Sequence, residues 1–169
     1  MAQAPTAWEV AAQVPDPELP MLTLAELGVL AEVEVEPDGD GVTAWLTPTY
    51  SGCPATAEMA ADVDRRLRAA GYRDVRVRLR LDPPWSTDRI TEAGRRKLAE
   101  AGIAPPGPAR SGGAAPLLQL GPTRHAPVVA CPQCGGTDTE ELSRFGSTAC
   151  KALWRCRDCR EPFERIKEI

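Results

Sequence analysis

The stretch Met59-Ala-Ala-Asp-Val-Asp-Arg-Arg-Leu-Arg-Ala-Ala-Gly-Tyr-Arg-Asp-Val-Arg-Val-Arg-Leu-Arg-Leu81 carries the pattern that decides the fold of the N-terminal part of the chain. Its first half repeats apolar residues at helical spacing, and Gly71 follows where a helix commonly ends. From Val75 to Leu81, apolar residues alternate strictly with arginines, which is typical of a half-buried strand. A helix followed directly by a strand predicts an α/β arrangement, and the arginine row predicts a solvent-facing sheet surface.

The flanking segments extend this prediction. Apolar alternation over 29–35, turn-forming residues over 37–41 and a returning apolar run over 42–46 predict a β-hairpin. Helices are predicted over 8–14, 22–27 and 91–101, the second ended by Gly28.

The predicted fold class is α+β, with helices packed on a short sheet and a tethered, metal-bound, zinc-ribbon-like module behind them. We divide the chain into an α/β domain over residues 6–84, a helical extension over 85–103, a flexible Pro/Gly linker over 104–127 and the module over 128–169.

The overall composition argues against several classes of function. The net charge is −4 and no cluster of lysine and arginine dominates, which argues against a broad nucleic-acid-binding surface. No apolar run approaches the length of a membrane span, and the first ten residues lack signal-peptide features. We therefore expect a cytoplasmic protein, in which the six cysteines indicate metal or thiol chemistry rather than disulfides.

Four cysteines in two CxxC pairs predict a metal site formed by Cys131, Cys134, Cys156 and Cys159. Two residues between cysteines let a tight turn direct both sulfurs at one ion, and two such turns supply a tetrahedral set of thiolates. Zinc is the expected metal, one per chain, and a four-sulfur site also accepts iron. The module has few large apolar residues, so the metal is expected to supply folding free energy.

Cys150 exceeds what a tetrahedral site requires. It is interpreted either as a small buried apolar residue or as an additional ligand for iron or a transient cluster.

Cys53 lies in Ser51-Gly-Cys-Pro54, just before the predicted helix. With Pro54 at the first helical position, Cys53 would be the N-cap, where the helix dipole lowers a thiol pKa. An ordinary inward-packing cysteine is the alternative. The single histidine, His125, lies in the predicted linker and is not expected to serve as a base.

Asp16 and Glu18 form either a paired-carboxylate site or turn caps, and the surrounding prolines favour turn caps.

Several segments resemble known families. Asp16-Pro-Glu-Leu-Pro20, Glu26-Leu-Gly-Val29 and Thr47-Pro-Thr-Tyr-Ser-Gly-Cys-Pro54 resemble the domain shared by cytosolic iron–sulfur assembly factors and bacterial SufT-like proteins. Trp85, the stretch from Asp88 to Pro105, and Phe145-Gly-Ser-Thr-Ala-Cys-Lys-Ala-Leu-Trp-Arg-Cys156 narrow the resemblance to the PaaD family of the bacterial phenylacetyl-CoA ring epoxidase system.

The resemblance implies a cytoplasmic accessory component of aerobic phenylacetate breakdown. Such a component assists the insertion of iron or an iron–sulfur cluster into an epoxidase subunit and does not itself catalyse the epoxidation. It implies the di-iron oxygenase or the iron–sulfur flavin reductase as partners, and it is compatible with a homodimer. By motif match, Cys53 carries over as the reactive, cluster-transferring cysteine. Asp16, Glu18, Thr49 and Gly52 carry over as motif residues without an assigned role.

Three other functions stay open at the level of sequence. The module could be a purely structural zinc-ribbon scaffold within the complex. A nucleic-acid-binding ribbon is disfavoured by the acidic net charge. A thiol enzyme would need a CxxC pair that is not bound to metal.

Overall fold

The computed structural model describes residues 5–108 and 128–168. His125 and most of the predicted linker lie outside these residues. Within them, no helix is both long and apolar enough to cross a membrane.

The N-terminal domain is built on a three-stranded sheet. Its elements are α1 (Ala7–Ala12), β1 (Leu30–Val35), β2 (Gly41–Leu46), α2 (Thr56–Ala69) and β3 (Asp74–Leu79). Strands β1 and β2 pair antiparallel, while β2 and β3 pair parallel because α2 carries the chain back between them. The predicted hairpin and the predicted helix–strand pair are both confirmed.

Helix α2 packs through the apolar face that its sequence predicts, burying Met59, Val63 and Leu67. On the sheet, Val75 is buried, whereas Leu79 is 50% exposed, so the alternation in β3 does not translate into burial along the whole strand. Arg80 lies over the ring of Trp45 and pairs with Glu32 at 2.8 Å, in keeping with a solvent-facing arginine row.

The predicted helix over 22–27 is wrong, because this segment makes only a turn. Thr23 and Glu26 exchange backbone-to-side-chain hydrogen bonds, as in a helix start. The carbonyl of Leu24 then accepts the N–H groups of Val29 and Leu30, which leads the chain directly into β1. Gly28 permits this reversal with a φ of +73°.

The C-terminal module is a second sheet. Its strands are β4 (Ile103–Ala104), β5 (Thr139–Ser143), β6 (Lys151–Cys156) and β7 (Pro162–Ile166), in the spatial order β4-β7-β6-β5. Helix α3 (Glu92–Glu100), whose N-cap is Thr91, confirms the predicted helix over 91–101 and leads into β4. Ile103 and Ala104 come from the helical extension and the linker of the sequence-based division, yet they pair parallel with β7.

The second sheet is docked on the first domain. Ile103 and Ile166 are both buried in the hydrophobic core that α1, α2 and the first sheet share. The connecting segment is fixed as well, since the Trp85 indole donates to the Leu27 carbonyl at 3.0 Å and Lys97 pairs with Glu26 at 2.7 Å. One strand of the ribbon therefore completes the core of the N-terminal domain.

Candidate functional site

The four cysteines of the two CxxC pairs converge on one point. Their sulfur atoms all lie within 4.8 Å of one another. The Sγ atoms of Cys131 and Cys159 are 3.7 Å apart, and those of Cys134 and Cys156 are 3.6 Å apart. A disulfide would require about 2.05 Å. A tetrahedral zinc with Zn–S bonds of about 2.3 Å separates its sulfurs by about 3.8 Å, so the donor set fits one metal ion.

The turns of the first CxxC pair direct backbone N–H groups at two of these sulfurs, and the pKa is lowered at one of them, Cys131. Backbone N–H groups of Gln133 and Gly136 point at the sulfurs of Cys131 and Cys134, each at 3.4 Å. Burial raises the pKa of Cys131, but hydrogen bonds from the Cys134 and Gln133 backbones and from the Cys159 side chain outweigh it and lower that pKa to about 7. Thiolates are the form that binds metal.

The metal centre sits at one edge of a small core. Trp154 and Phe163 face each other across β6 and β7 and pack with Cys131 and Cys156, which are both buried. Cys134 and Cys159 are exposed. The centre is thus closed by protein on one side and covered only by its own two turns on the other.

A second site is a pocket between the N-terminal domain and the ribbon. It is a small cavity that is partly open to solvent. Its polar lining comes from both parts of the chain: Asp16, Glu18, Thr49, Cys53 and Cys150. Apolar walls are supplied by Met59, Trp85 and Ile166, among others.

Cys53 reaches this pocket from the loop before α2, but it is not the helix N-cap. The N-cap is Ala55, because a turn in which Cys53 O accepts the Thr56 N–H precedes the helix. The predicted lowering of the thiol pKa is also wrong. Burial raises the pKa of Cys53 and the carboxylates of Glu18 and Asp16 raise it further, against the opposing Ala55 N–H and Thr56 hydroxyl.

Cys150 is not part of the four-cysteine cluster; it lies in the turn just before β6 and lines the pocket. It is 7% exposed, and its sulfur lies 3.1 Å from the Thr148 hydroxyl. Burial is the main cause that raises its pKa, and Glu18 adds to it. The two interpretations from sequence, a buried small residue and an additional ligand, both remain compatible with this position.

Asp16 acts as a turn cap, as its prolines suggest. Its Oδ1 atom accepts the backbone N–H groups of Glu18 and Leu19, each at 2.8 Å. Burial raises the pKa of this carboxyl group, which these two hydrogen bonds and the charge of Lys151 oppose. By fixing the turn, Asp16 holds Glu18 at the pocket wall.

Of the two remaining motif residues, one lines the pocket and the other does not. Thr49 lines the pocket, whereas Gly52 is exposed beside the Tyr50 ring and is not among the lining residues. The pKa of Tyr50 is raised by desolvation and then by the nearby charges of Cys53, Glu18 and Cys150. Sequence reasoning missed Ile166 as a lining residue, because its position in the ribbon gave no signal of contact with the first domain.

Comparisons with known protein families match the N-terminal domain and the C-terminal ribbon separately. A family model described as an iron-sulfur cluster assembly protein matches residues 7–79, and one described as the PaaD zinc beta ribbon domain matches residues 119–167. A protein of Escherichia coli (strain K12), described as the D subunit of a "Putative 1,2-phenylacetyl-CoA epoxidase", is 42% identical over 165 residues. That alignment covers 96% of this chain and 91% of the relative.

Solved structures resemble the N-terminal part. The domain of unknown function DUF59 from Bacillus anthracis is 24% identical with a TM-score of 0.50, covering 54% of this chain and 87% of its own. This likeness supports the fold of the first domain. A conserved hypothetical protein from Thermotoga maritima is 25% identical with a TM-score of 0.47, covering 58% of this chain and 98% of its own.

Proposed function

Because this chain belongs to the PaaD family of phenylacetyl-CoA epoxidase components, we propose that it matures the epoxidase by assisting the insertion of iron or an iron–sulfur cluster. The family membership confirms the resemblance noted from the residues. The proposed role is that of an accessory component, which does not itself catalyse the epoxidation.

The observation that supports this function most directly is the pocket. It brings the motif residues Asp16, Glu18, Thr49 and Cys53 of the assembly-factor-like domain to one concave surface. A thiol and a carboxylate at a partly open pocket are donors that iron accepts. The metal-bearing epoxidase subunits implied by the resemblance, the di-iron oxygenase and the iron–sulfur flavin reductase, are the proposed clients.

We assign a separate role to the ribbon centre. Four thiolates in a closed tetrahedral set suit one zinc ion held for folding. Purification without oxygen, followed by metal and sulfide analysis, tests this assignment. One zinc per chain is expected at the ribbon, and iron at the four cysteines in place of zinc would contradict it.

The maturation role is tested in cells that express the epoxidase subunits with wild-type protein or with Cys53→Ser. The client is purified in each case, and its iron and acid-labile sulfide are measured per chain. We expect normal client abundance but under-loaded metal with Cys53→Ser. Glu100→Gln, an exposed change at the end of α3, is the matched control and should leave loading unchanged.

A purely structural scaffold is the second candidate function. It is favoured by exposed apolar side chains on the ribbon, since Val128 is 82% and Phe145 is 73% exposed. It requires stoichiometric co-purification with the epoxidase and full client loading without Cys53. The same measurement on Cys53→Ser therefore separates the two functions.

A further inference from the structure

Two cysteines outside the ribbon centre face the same pocket from opposite parts of the chain. Cys53 comes from the loop before α2, and Cys150 comes from the turn just before the ribbon's β6. The Lys167 N–H donates to the Cys150 carbonyl at 2.9 Å, which ties the segment around Cys150 to the end of β7. Because β7 also buries Ile166 in the first domain's core, the ribbon holds Cys150 against the pocket.

We propose that Cys53, Cys150 and Glu18 form a second metal site, which takes a ferrous ion and is completed only when the ribbon is docked. The inference deepens the proposed maturation role and rests on it. It gives the ribbon a function besides its own zinc, namely to supply the second thiolate of the cargo site.

Glu18 is suited to be the oxygen ligand. It lines the pocket, and its carboxylate makes no hydrogen bond or ion pair with any residue in the described part of the chain. Asp16, in contrast, already uses Oδ1 to cap the turn that presents Glu18. Asp16 is therefore a positioning residue, and Glu18 is the carboxylate available to an ion.

The lining of the pocket includes no lysine or arginine among the described residues. Lys151 lies close enough to act on Asp16 electrostatically. Its ammonium group is already engaged by Glu164 at 3.2 Å and by the Ser147 hydroxyl at 3.1 Å. Two thiols and two carboxyl groups thus face a partly apolar space, which favours a divalent cation over an anionic ligand.

The geometry also distinguishes this site from the ribbon centre. Among the described residues, only the four ribbon cysteines form a group of three or more potential ligands already placed to hold one metal ion, with their sulfurs within 4.8 Å of one another. Cys53, Cys150 and Glu18 instead line a partly open pocket without forming such a preformed group, so binding an ion there would require them to move towards one another. A site that closes around its ion and opens to solvent suits loading and release, whereas a preformed four-thiolate cage suits retention.

The test uses the full chain with one zinc in the ribbon, prepared without oxygen. Cobalt(II) is titrated as a spectroscopic probe for thiolate coordination, and ferrous iron is then bound in competition with it. We expect one further ion per chain with a thiolate-to-cobalt charge-transfer band. Cys53→Ser and Cys150→Ser should each weaken binding at least about tenfold while zinc stays at one per chain, and Glu100→Gln should bind like the wild type.

Glu18→Gln keeps the shape of the side chain. It should weaken binding of the second ion without removing the charge-transfer band. If Cys150→Ser loses zinc, Cys53→Ser still reports on the site from the other domain. Binding of no second ion by the wild type would overturn the proposal. So would equal affinity in Cys150→Ser with its zinc intact, or a Cys53–Cys150 disulfide formed in place of metal binding.

Client loading measured in parallel separates this inference from the function on which it rests. If Cys53 is needed for client loading but Cys150→Ser binds the second ion normally, the composite site is wrong and the maturation role stands. If the second ion needs both thiols but the client is fully loaded without Cys53, the site stands and the maturation role is wrong.

Discussion

Ile166 provides the sharpest test of how the two parts of the chain are joined. Its side chain is 2% exposed and lies in the core of the N-terminal domain, although it belongs to the last ribbon strand. Ile166→Ala removes three buried carbons, which at about 0.8 kcal/mol each amounts to about 2.4 kcal/mol of lost transfer free energy. The remaining cavity brings the expected loss of unfolding free energy to about 3–4 kcal/mol. Ile166→Val removes one carbon and should cost about 1 kcal/mol.

The assay is urea unfolding of the zinc-loaded protein, followed by tryptophan fluorescence. Leu142→Ala is the matched control, because Leu142 is 48% exposed in the same module and should cost less than about 0.5 kcal/mol. Because Ile166 and Cys150 line one pocket, Ile166→Ala should also speed alkylation of Cys150 in the native state. If Ile166→Ala cost no more than Leu142→Ala, the docking of the ribbon on the first domain would be refuted.

Three further predictions follow from other contacts. Gly28→Ala should lower the free energy of unfolding by about 2–4 kcal/mol. The reason is that φ is +73° at Gly28 and the added carbon would clash with Arg89 Cβ. Gly39→Ala is the control: its φ is +78° but no atom lies within 4 Å of the added carbon, so it should cost only about 1 kcal/mol. Both costs are measured by urea unfolding. Chelation of zinc should unfold the ribbon and expose Cys150 to alkylation, and unchanged protection after complete zinc removal would contradict this. Desolvation raises the Glu26 pKa, but bonds from Lys97 and Thr23 outweigh it and lower that pKa. Glu26 therefore stabilises the fold above its unfolded pKa of about 4.5 and loses this effect as pH falls through its lower folded pKa. The stability difference between wild type and Glu26→Gln, measured by urea unfolding, should accordingly shrink between neutral pH and pH about 3.

The elements that could be predicted from sequence are those whose signal is local. The metal centre depends on two tight turns, so the spacing of Cys131, Cys134, Cys156 and Cys159 was enough to bring their sulfurs together. The hairpin and the α2–β3 unit follow from periodicity within a few residues. Asp16 could be assigned to a turn because the prolines beside it restrict the backbone.

The start of α2 shows why the ends of helices were harder to predict than the helices themselves. Pro54 suits the first helical position, which pointed to Cys53 as the N-cap. The chain instead makes one more turn, and Ala55 becomes the cap without a side-chain hydrogen bond. Proline and a short polar run fit both arrangements, so the expected lowering of the Cys53 pKa rested on an ambiguous signal.

That Cys53 and Cys150 line one pocket could not be read from sequence, because it depends on long-range packing. The docking runs through β4, a two-residue strand with no periodic pattern, and through Ile166, which looked like part of the ribbon's own core. Pairing between distant segments is decided by the area buried in the whole fold rather than by local preference. The pocket between the two parts therefore forms where sequence patterns carry the least information.

The ribbon centre and the proposed pocket site would differ in how many coordination positions they leave open, and this difference argues for a division of labour. In the ribbon centre, sulfurs 3.6 and 3.7 Å apart leave no open coordination position once a tetrahedral ion is bound. In the pocket, two thiols and the Glu18 carboxylate would fill three positions, so a fourth is open to a client ligand. An ion can pass between proteins only if donor and acceptor ligands bind it together for a moment. An open position at the proposed pocket site would permit that shared state, whereas release from the ribbon would first require a thiolate to leave and the module to lose a metal expected to support its folding.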